Sequence, residues 1–408
     1  MTVEVRALGS LCNLQCKYCY QHLERSVGNQ KRYYNLNTII SVLEEINKPF
    51  SLFGGEALLM PSADLEKLWQ WGFEKFGKNG IQTNGALISD RHIAMFKKYN
   101  VFVGLSIDGP CELNDARWAG SLDATRQATT RSLAAVERLL REGIPLGLIV
   151  VLHRGNAVRE KLPALREWFR KLDALGMGSV RLSLLQDDDE ETRKSFCLTA
   201  EENVEAFLSL YELERQLLNL KFDLFSEMQN LLQGNDESCT CIWSGCDPYT
   251  TSSVTGIEGD GQISICGRSD KDGLNVVKCD TPGFERYIAL YQVPQEDGGC
   301  KGCRFFLVCK GHCPGAALND DWRNRSRYCD VWKSLLEHME ARILENGERL
   351  IFNMADREKL EQAFLEAWSA GRNTSISQEL EKTKDACPSR LSSVSAQGQS
   401  RNDENAGN

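Results

Sequence analysis

No stretch of eighteen uninterrupted apolar residues occurs in this 408-residue chain, which excludes an ordinary membrane-spanning helix. The opening MTVEVRALGS has no basic n-region followed by an apolar run, so it does not read as an export signal. Positive charge is short as well. Lys and Arg number 48 against 57 Asp and Glu, a formal net charge of −9, without the basic footprint that a phosphate backbone demands. Neither nucleic acid nor membrane is therefore an expected partner, and a cytoplasmic location is expected. Histidine is scarce, at five residues; His22, His92, His153 and His338 have no motif around them and read as structural.

The rest is ordinary for a globular protein, with 42% hydrophobic and 26% charged residues, and long enough for one large catalytic domain plus a smaller module. Cysteine is the exception, at sixteen residues. Without an export signal, a reducing compartment makes metal or cluster ligation a better account than disulfides. Cys12, Cys16 and Cys19 form one group, ten more crowd between Cys239 and Cys329, and Cys111, Cys197 and Cys387 stand apart.

Candidate strands are Val3–Leu8, Phe50–Phe53, Gly80–Gln82, Val101–Ile107, Leu146–Leu152 and Val180–Leu185, separated by segments of helical spacing such as Leu65–Phe76 and Thr125–Arg141. Six strand-then-helix repeats predict an α/β fold, a partial (β/α)6 barrel over residues 1–198 with parallel strands and right-handed crossovers. Residues 199–235 read as a long helical bridge. Residues 236–335 are rich in Gly and Cys with little periodicity, and have too little aliphatic content for a core of their own, so something covalent or coordinative is expected to hold them. Helices resume at Asp330–Glu345 and Ala355–Trp368, residues 336–371 being read as the C-terminal helices, and residues 372–408 read as a disordered tail by composition.

In such a barrel the chemistry collects at the carboxyl ends of the strands. Cys12-x3-Cys16-x2-Cys19 follows the first strand, and three thiolates this close suit a [4Fe–4S] cluster whose fourth iron has no protein ligand. A zinc site completed by His22 is the simpler alternative. The spacing, the aromatic Tyr18 before the third cysteine and the whole CKYCY segment resemble the radical S-adenosylmethionine (SAM) superfamily. By that resemblance, Gly54, Gly55 and Glu56 of FGGEA contact the methionine moiety of SAM, the glycines by close backbone approach and the carboxylate as partner of the ammonium group. Alanine at 57 replaces the family's proline. Asn84 of QTNG, with Ser106 and Asp108 of SIDG, correspond to positions that hold the ribose and the amino-acid part. The resemblance implies homolysis of SAM to a 5′-deoxyadenosyl radical, with the barrel supplying orientation and excluding solvent.

The distal cysteines resemble the SPASM domain of radical SAM enzymes, which binds two auxiliary [4Fe–4S] clusters. The resemblance implies Cys246, Cys266 and Cys313 for the first, with a fourth ligand from Cys239 or Cys241, and Cys300, Cys303, Cys309 and Cys329 for the second. Three clusters and SAM are then the cofactors. Cys111, Cys197, Cys279 and Cys387 are read as incidental thiols. Lys310, Gly311 and His312 shape the loop between two ligands and its hydrogen bonds to sulfur.

Enzymes with this domain mostly modify peptides, so a ribosomally made precursor peptide with a leader is the expected substrate. The barrel begins within the first few residues, so a separate leader-recognition protein is expected, together with a flavodoxin- or ferredoxin-type electron donor. CKYCYQHLERSVGN and WRNRSRYC look like the maturases associated with Nif11-type leaders, a group that includes spliceases excising tyramine from a Tyr-Gly pair to leave an α-keto-β-amino amide. Competing outcomes are C–C or C–S cross-linking, epimerisation, formylglycine formation by an anaerobic sulfatase maturase, and, outside catalysis, a zinc-stabilised peptide-binding scaffold. Asp187 opens the run Asp187–Glu191 after the sixth strand and is the candidate general base; as a solvated run, the same residues would cap the next segment.

Overall fold

Valines at 3 and 5 alternate with Glu4 and Arg6, and this segment forms β1 (Thr2–Arg6), with both valines 1% exposed against the surrounding helices. The structure is a computed structural model. It describes residues 2–385 apart from 23, 24, 26, 27, 29–32, 187, 188, 238, 240, 245, 247–253, 270–282, 349 and 351–356. Strands β2 (Phe50–Leu52), β3 (Asn79–Thr83), β4 (Val101–Ser106), β5 (Leu146–Leu152) and β6 (Ser179–Leu184) follow, each parallel to its predecessor. Helices Leu36–Ile46, Ser62–Phe76, Asp90–Lys98, Leu122–Arg141 and Leu162–Ala174 make the crossovers. All six expected strands are present within one or two residues of their predicted ends. Their faces are covered on both sides, which is why LGLIVVL of β5 is apolar almost throughout.

The sheet extends beyond these six. Its order is β7-β6-β5-β4-β3-β2-β1-β8-β9, where β7 is Lys221–Phe222, β8 is Val254–Glu258 and β9 is Ile263–Ser264. The expected long bridge is therefore broken into Ala200–Glu214 and Asp223–Gln233 around β7. The cause is Asp173, whose carboxylate accepts the backbone N–H of Leu218, Asn219 and Leu220 at 3.1, 2.6 and 2.8 Å and so turns the chain toward β6. Asp173→Ala should cost about 2–4 kcal/mol in urea unfolding, because three donors lose a charged acceptor together; a change below about 0.5 kcal/mol would rule out this account of the turn.

The cysteine-rich segment is not held by coordination alone. Strand β8 runs parallel to β1 with all five residues buried. Arg6, 4% exposed, donates to Ser264 Oγ at 3.0 Å and the Ile265 carbonyl at 2.5 Å, and pairs with buried Glu258 at 3.4 Å. Farther along, Trp368 packs on Phe284, Tyr287, Phe306 and Phe364, an aromatic core drawn from three separated stretches. Sequence periodicity missed β8 and β9 because they are only five and two residues long. Ile376–Asp385 is helical where composition pointed to disorder; Asp236 accepts the backbone N–H of Ile376 and Ser377, and the Ile376 side chain is fully buried.

Candidate active site

The loop after β1 is pinned before it offers any thiol. Gln15 and Lys17 donate their N–H to the carbonyls of Trp118 and Ala116 at 2.7 and 2.8 Å, and the Lys17 ammonium lies 4.4 Å over the Trp118 ring. Cys12, Cys16 and Cys19 then line one cavity of about 310 Å³, together with Gly54, Gly55, Gln82, Asn84, Ser106, Tyr18 and Arg117. Arg25 donates to Cys19 Sγ at 3.6 Å and the Leu14 N–H to Cys12 Sγ at 3.4 Å. Burial pushes the Cys12 thiol up to about 11 and the Cys16 thiol up to about 12, so both are protonated at neutral pH and must release those protons on binding a metal.

Gly54 and Gly55 bring the end of β2 against that loop. A Cβ on Gly54, at φ +117°, would lie 2.5 Å from the Gly9 carbonyl oxygen, and one on Gly55 2.2 Å from that of Leu11. The Gly55 and Glu56 N–H groups bond the same two carbonyls at 2.9 and 2.8 Å. Glu56 does not take the expected place beside a ligand. It is 1% exposed, lies outside the cavity wall, and accepts from the Leu58 N–H, Thr83 Oγ1 and the Asn84 N–H at 3.0, 2.7 and 2.8 Å. Burial raises its pKa, an effect these bonds only partly offset. Its carboxylate ties β2 to the end of β3 and so orients Asn84, whose amide faces the cavity and donates to Asn13 Oδ1 at 2.8 Å. Ser106 is on the wall too, its Oγ accepting from Gln82 Nε2 at 2.8 Å.

Asp108 also turns away from the cavity, into a buried hub. Its carboxylate accepts from Arg117 Nη2 at 2.9 Å, the Val151 N–H at 3.0 Å and the Tyr18 hydroxyl, with His153 Nε2 at 3.4 Å. The Gly155 N–H donates to His153 Nδ1 at 2.9 Å, which leaves the ring proton on Nε2, facing the carboxylate. Burial alone would raise the Asp108 pKa, but Arg117 and His153 outweigh it and hold the group well below the usual carboxylate range. Tyr18 and Arg117, whose polar side chains reach the cavity, are thereby fixed beside Cys16. Arg117 has no sequence motif; nine residues past Asp108, it is found only through its ion pair.

The distal cysteines gather in two further cavities. Cys241, Cys246, Cys266 and Cys313 line one of about 250 Å³, and Cys300, Cys303, Cys309 and Cys329 line one of about 20 Å³. Cys239 stands outside both, beside Asp236, Glu227 and Lys310, so the geometry favours Cys241 where spacing left the two open. Cys266 lines the active-site cavity as well. Burial pushes Cys266 and Cys300 up to about 12, and a hydrogen bond with Cys246, followed by burial, raises Cys241. Arg286, 1% exposed, braces the loops by donating to the carbonyls of Trp322, Lys310, His312 and Asn324. Among the described residues no three or more Cys, His, Asp or Glu converge as a single ion requires. A tetrahedral zinc would need sulfurs about 3.8 Å apart. Thiols ringing a cavity fit a larger polynuclear group better.

Residues 8–162, which contain the cysteine trio and strands β2 to β5, match the radical SAM superfamily. The chain belongs to the radical SAM superfamily. It is 34% identical over 342 residues to an uncharacterized protein of Archaeoglobus fulgidus, covering 79% of this chain and 77% of that one. It is 22% identical over 378 residues to the cysteine-type anaerobic sulfatase-maturating enzyme of Clostridium perfringens (strain ATCC 13124), covering 84% and 97%. The fold is shared with the native anSMEcpe structure with bound AdoMet and Cp18Cys peptide, at a TM-score of 0.65, 17% identity, and coverage of 85% of this chain and 98% of that one. Radical SAM enzymes carry a [4Fe–4S] cluster and SAM.

In this radical SAM enzyme several cavity residues escaped sequence reasoning. Glu4, Arg25 and Arg268 stand on the wall, Arg268 lying 4.7 Å over the Tyr20 ring and donating to Gln186 at 3.0 Å. For Glu4 a signal existed: a charge alternating with valines on a buried strand must face a lumen or a partner. Asp187 lies outside the described residues. Its neighbour Asp189 caps helix Glu190–Phe196 by accepting the Thr192 N–H at 2.7 Å, as a capping run would. No described helix is long and apolar enough to cross a membrane.

Proposed function

We propose that this chain modifies a ribosomally made peptide or protein segment by radical hydrogen abstraction, using three [4Fe–4S] clusters. Cys12, Cys16 and Cys19 would hold the first, Cys241, Cys246, Cys266 and Cys313 the second, and Cys300, Cys303, Cys309 and Cys329 the third. The observation that carries the reading is the shared cavity: the cysteine trio and Cys266 line one space, so a substrate there meets both chemistries. When bound, the first cluster with SAM supplies a 5′-deoxyadenosyl radical.

The protein's own groups orient and shield. Arg117 presents a guanidinium suited to a carboxylate, and its ion pair with Asp108 holds it in place without moving parts. Asn84 and Ser106 offer an amide and a hydroxyl to ribose oxygens, Gly54 and Gly55 allow close backbone approach, and Ile149 and Val151 form an apolar wall that keeps water out. Asp187 is the proposed general base. Among the described residues Glu4 is the carboxylate on the cavity wall, and serves as its comparison. A flavodoxin- or ferredoxin-type donor supplies electrons, and a separate small protein recognises a Nif11-type leader.

The finer outcome proposed is excision of tyramine from a Tyr-Gly pair. Formylglycine formation is the second reading, favoured by the relatives named as sulfatase-maturating enzymes. Anaerobic reconstitution with SAM, reductant and either the peptide encoded beside this gene or a sulfatase-derived Cys or Ser peptide separates them by product mass. A tyramine-sized loss on the first peptide is the expected result. Conversion of the second peptide to an aldehyde product establishes maturase chemistry instead, and deuterium uptake at unchanged mass means epimerisation. 5′-Deoxyadenosine without modification of either peptide would overturn both readings.

A further inference from the structure

Two cysteine cavities share one wall, and that wall is made of rings whose nitrogens have no partner. His312 and Trp332 each line both the cavity of Cys241, Cys246, Cys266 and Cys313 and the cavity of Cys300, Cys303, Cys309 and Cys329. Their rings stack at 4.0 Å between centroids and 21° between planes, with Trp243 edge-on to His312 at 5.1 Å. Both are more than nine-tenths buried, at 7% and 5% exposure. Among the described residues, neither nitrogen of His312, nor Nε1 of Trp332, has a hydrogen-bond partner.

Buried N–H groups without acceptors are rare and costly, so a site that keeps two of them side by side asks what accepts them. Ser183, Gln186, Asp223, Glu227 and Ser326 line the same cavities, yet none of them bonds these nitrogens; the acceptors that four cysteines on either side imply are the sulfurs of iron–sulfur clusters. The position is also held against a backbone preference. His312 sits at φ +58°, its N–H bonded to the Cys309 carbonyl at 2.8 Å and its own carbonyl accepting from Arg286 at 3.2 Å. Those bonds place an imidazole, rather than a small side chain, between the two sets of thiols.

We propose that the stacked His312–Trp332 pair is the common wall of the two auxiliary clusters and that its N–H groups, donated to cluster sulfurs, raise their reduction potentials. This rests on reading the two four-cysteine cavities as iron–sulfur sites. A donor to sulfur stabilises the reduced state, which carries one more negative charge, so removing it lowers the potential. The stack also places aromatic contact between the two sites.

The test is a redox titration followed by electron paramagnetic resonance on anaerobically reconstituted full-length protein. His312→Phe keeps the ring and removes both nitrogens, Trp332→Phe removes the indole N–H on an unstrained helix, and His312→Asn returns a donor on a residue that tolerates the left-handed backbone. At unchanged iron and sulfide content, His312→Phe should shift the reduction equilibrium of at least one auxiliary cluster about tenfold toward the oxidised form, about 59 mV for one electron. Trp332→Phe should shift it in the same sense, and His312→Asn should recover part of the change. Unchanged potentials in both Phe variants would overturn the proposal. If His312→Phe loses iron, the Trp332→Phe titration decides. A wild-type content of about four irons per chain rather than about twelve would instead sink the underlying two-cluster reading.

Discussion

Replacing Cys16 with alanine should abolish SAM cleavage, with 5′-deoxyadenosine formation falling on the order of 10³-fold or more, because the cluster carries the electron transfer that no side chain supplies. Cys16 stands beside Arg117 and shares a cavity with Cys12 and Cys19, so in the proposed assignment the lost thiol would leave two ligands where three are needed. The variant should still fold: a buried, protonated thiol packs as a small apolar group against Leu14 and Ala86, and alanine loses little of that contact. Normal unfolding with no 5′-deoxyadenosine is the expected pair of results. Undiminished SAM turnover would remove the cysteine trio from the mechanism.

Asp108→Asn is the second large effect, and it acts on stability and cofactor binding together. In the native protein the carboxylate is fully buried and paired with Arg117, itself 8% exposed. Neutralising it leaves the guanidinium buried without a counter-charge, at a cost of about 3–5 kcal/mol. The amide also cannot accept at both oxygens, so Tyr18 or Arg117 loses its anchor beside Cys16. SAM binding should weaken in calorimetry even where the variant remains folded. The sign of the pH dependence follows from the depressed native pKa. Stability from this carboxylate is fully present above its unfolded pKa of about 3.9 and is lost as pH falls toward the native value, so wild type should weaken below roughly pH 4 while the variant's curve is flatter there. Parallel wild-type and variant curves below roughly pH 4 would show that Asp108 is not the ionised hub.

Much of this barrel was legible in the chain. Short, mostly apolar runs of three to seven residues marked six strands, because a parallel sheet covered on both faces needs near-continuous aliphatic content. The motifs at the strand ends followed, since loops there vary without disturbing the core. What the pattern could not convey was direction. Glu56 and Asp108 stand at the expected positions, but both carboxylates point into the protein and position Asn84, Tyr18 and Arg117, which do reach the cavity. A buried anion is tolerable only where several donors meet it, and those donors come from strands and loops up to 90 residues away in sequence. Likewise β8 and β9 are too short to announce themselves; β8 pairs with β1 and β9 with β8, and Arg6 meets Glu258 across more than 250 residues.

From the chain alone came the superfamily chemistry: three thiols at a spacing that fits one cube, glycines where the backbone must approach closely, and a parallel α/β barrel to carry them. Tertiary structure decided the rest. It set Cys241 rather than Cys239 on the cavity wall, opened a common space between the first trio and Cys266, and stacked His312 on Trp332 between two sets of four thiols. The division has a physical cause. Spacing within a loop is a local quantity that the backbone enforces, whereas which side chains face one cavity depends on contacts between segments that only the folded core brings together.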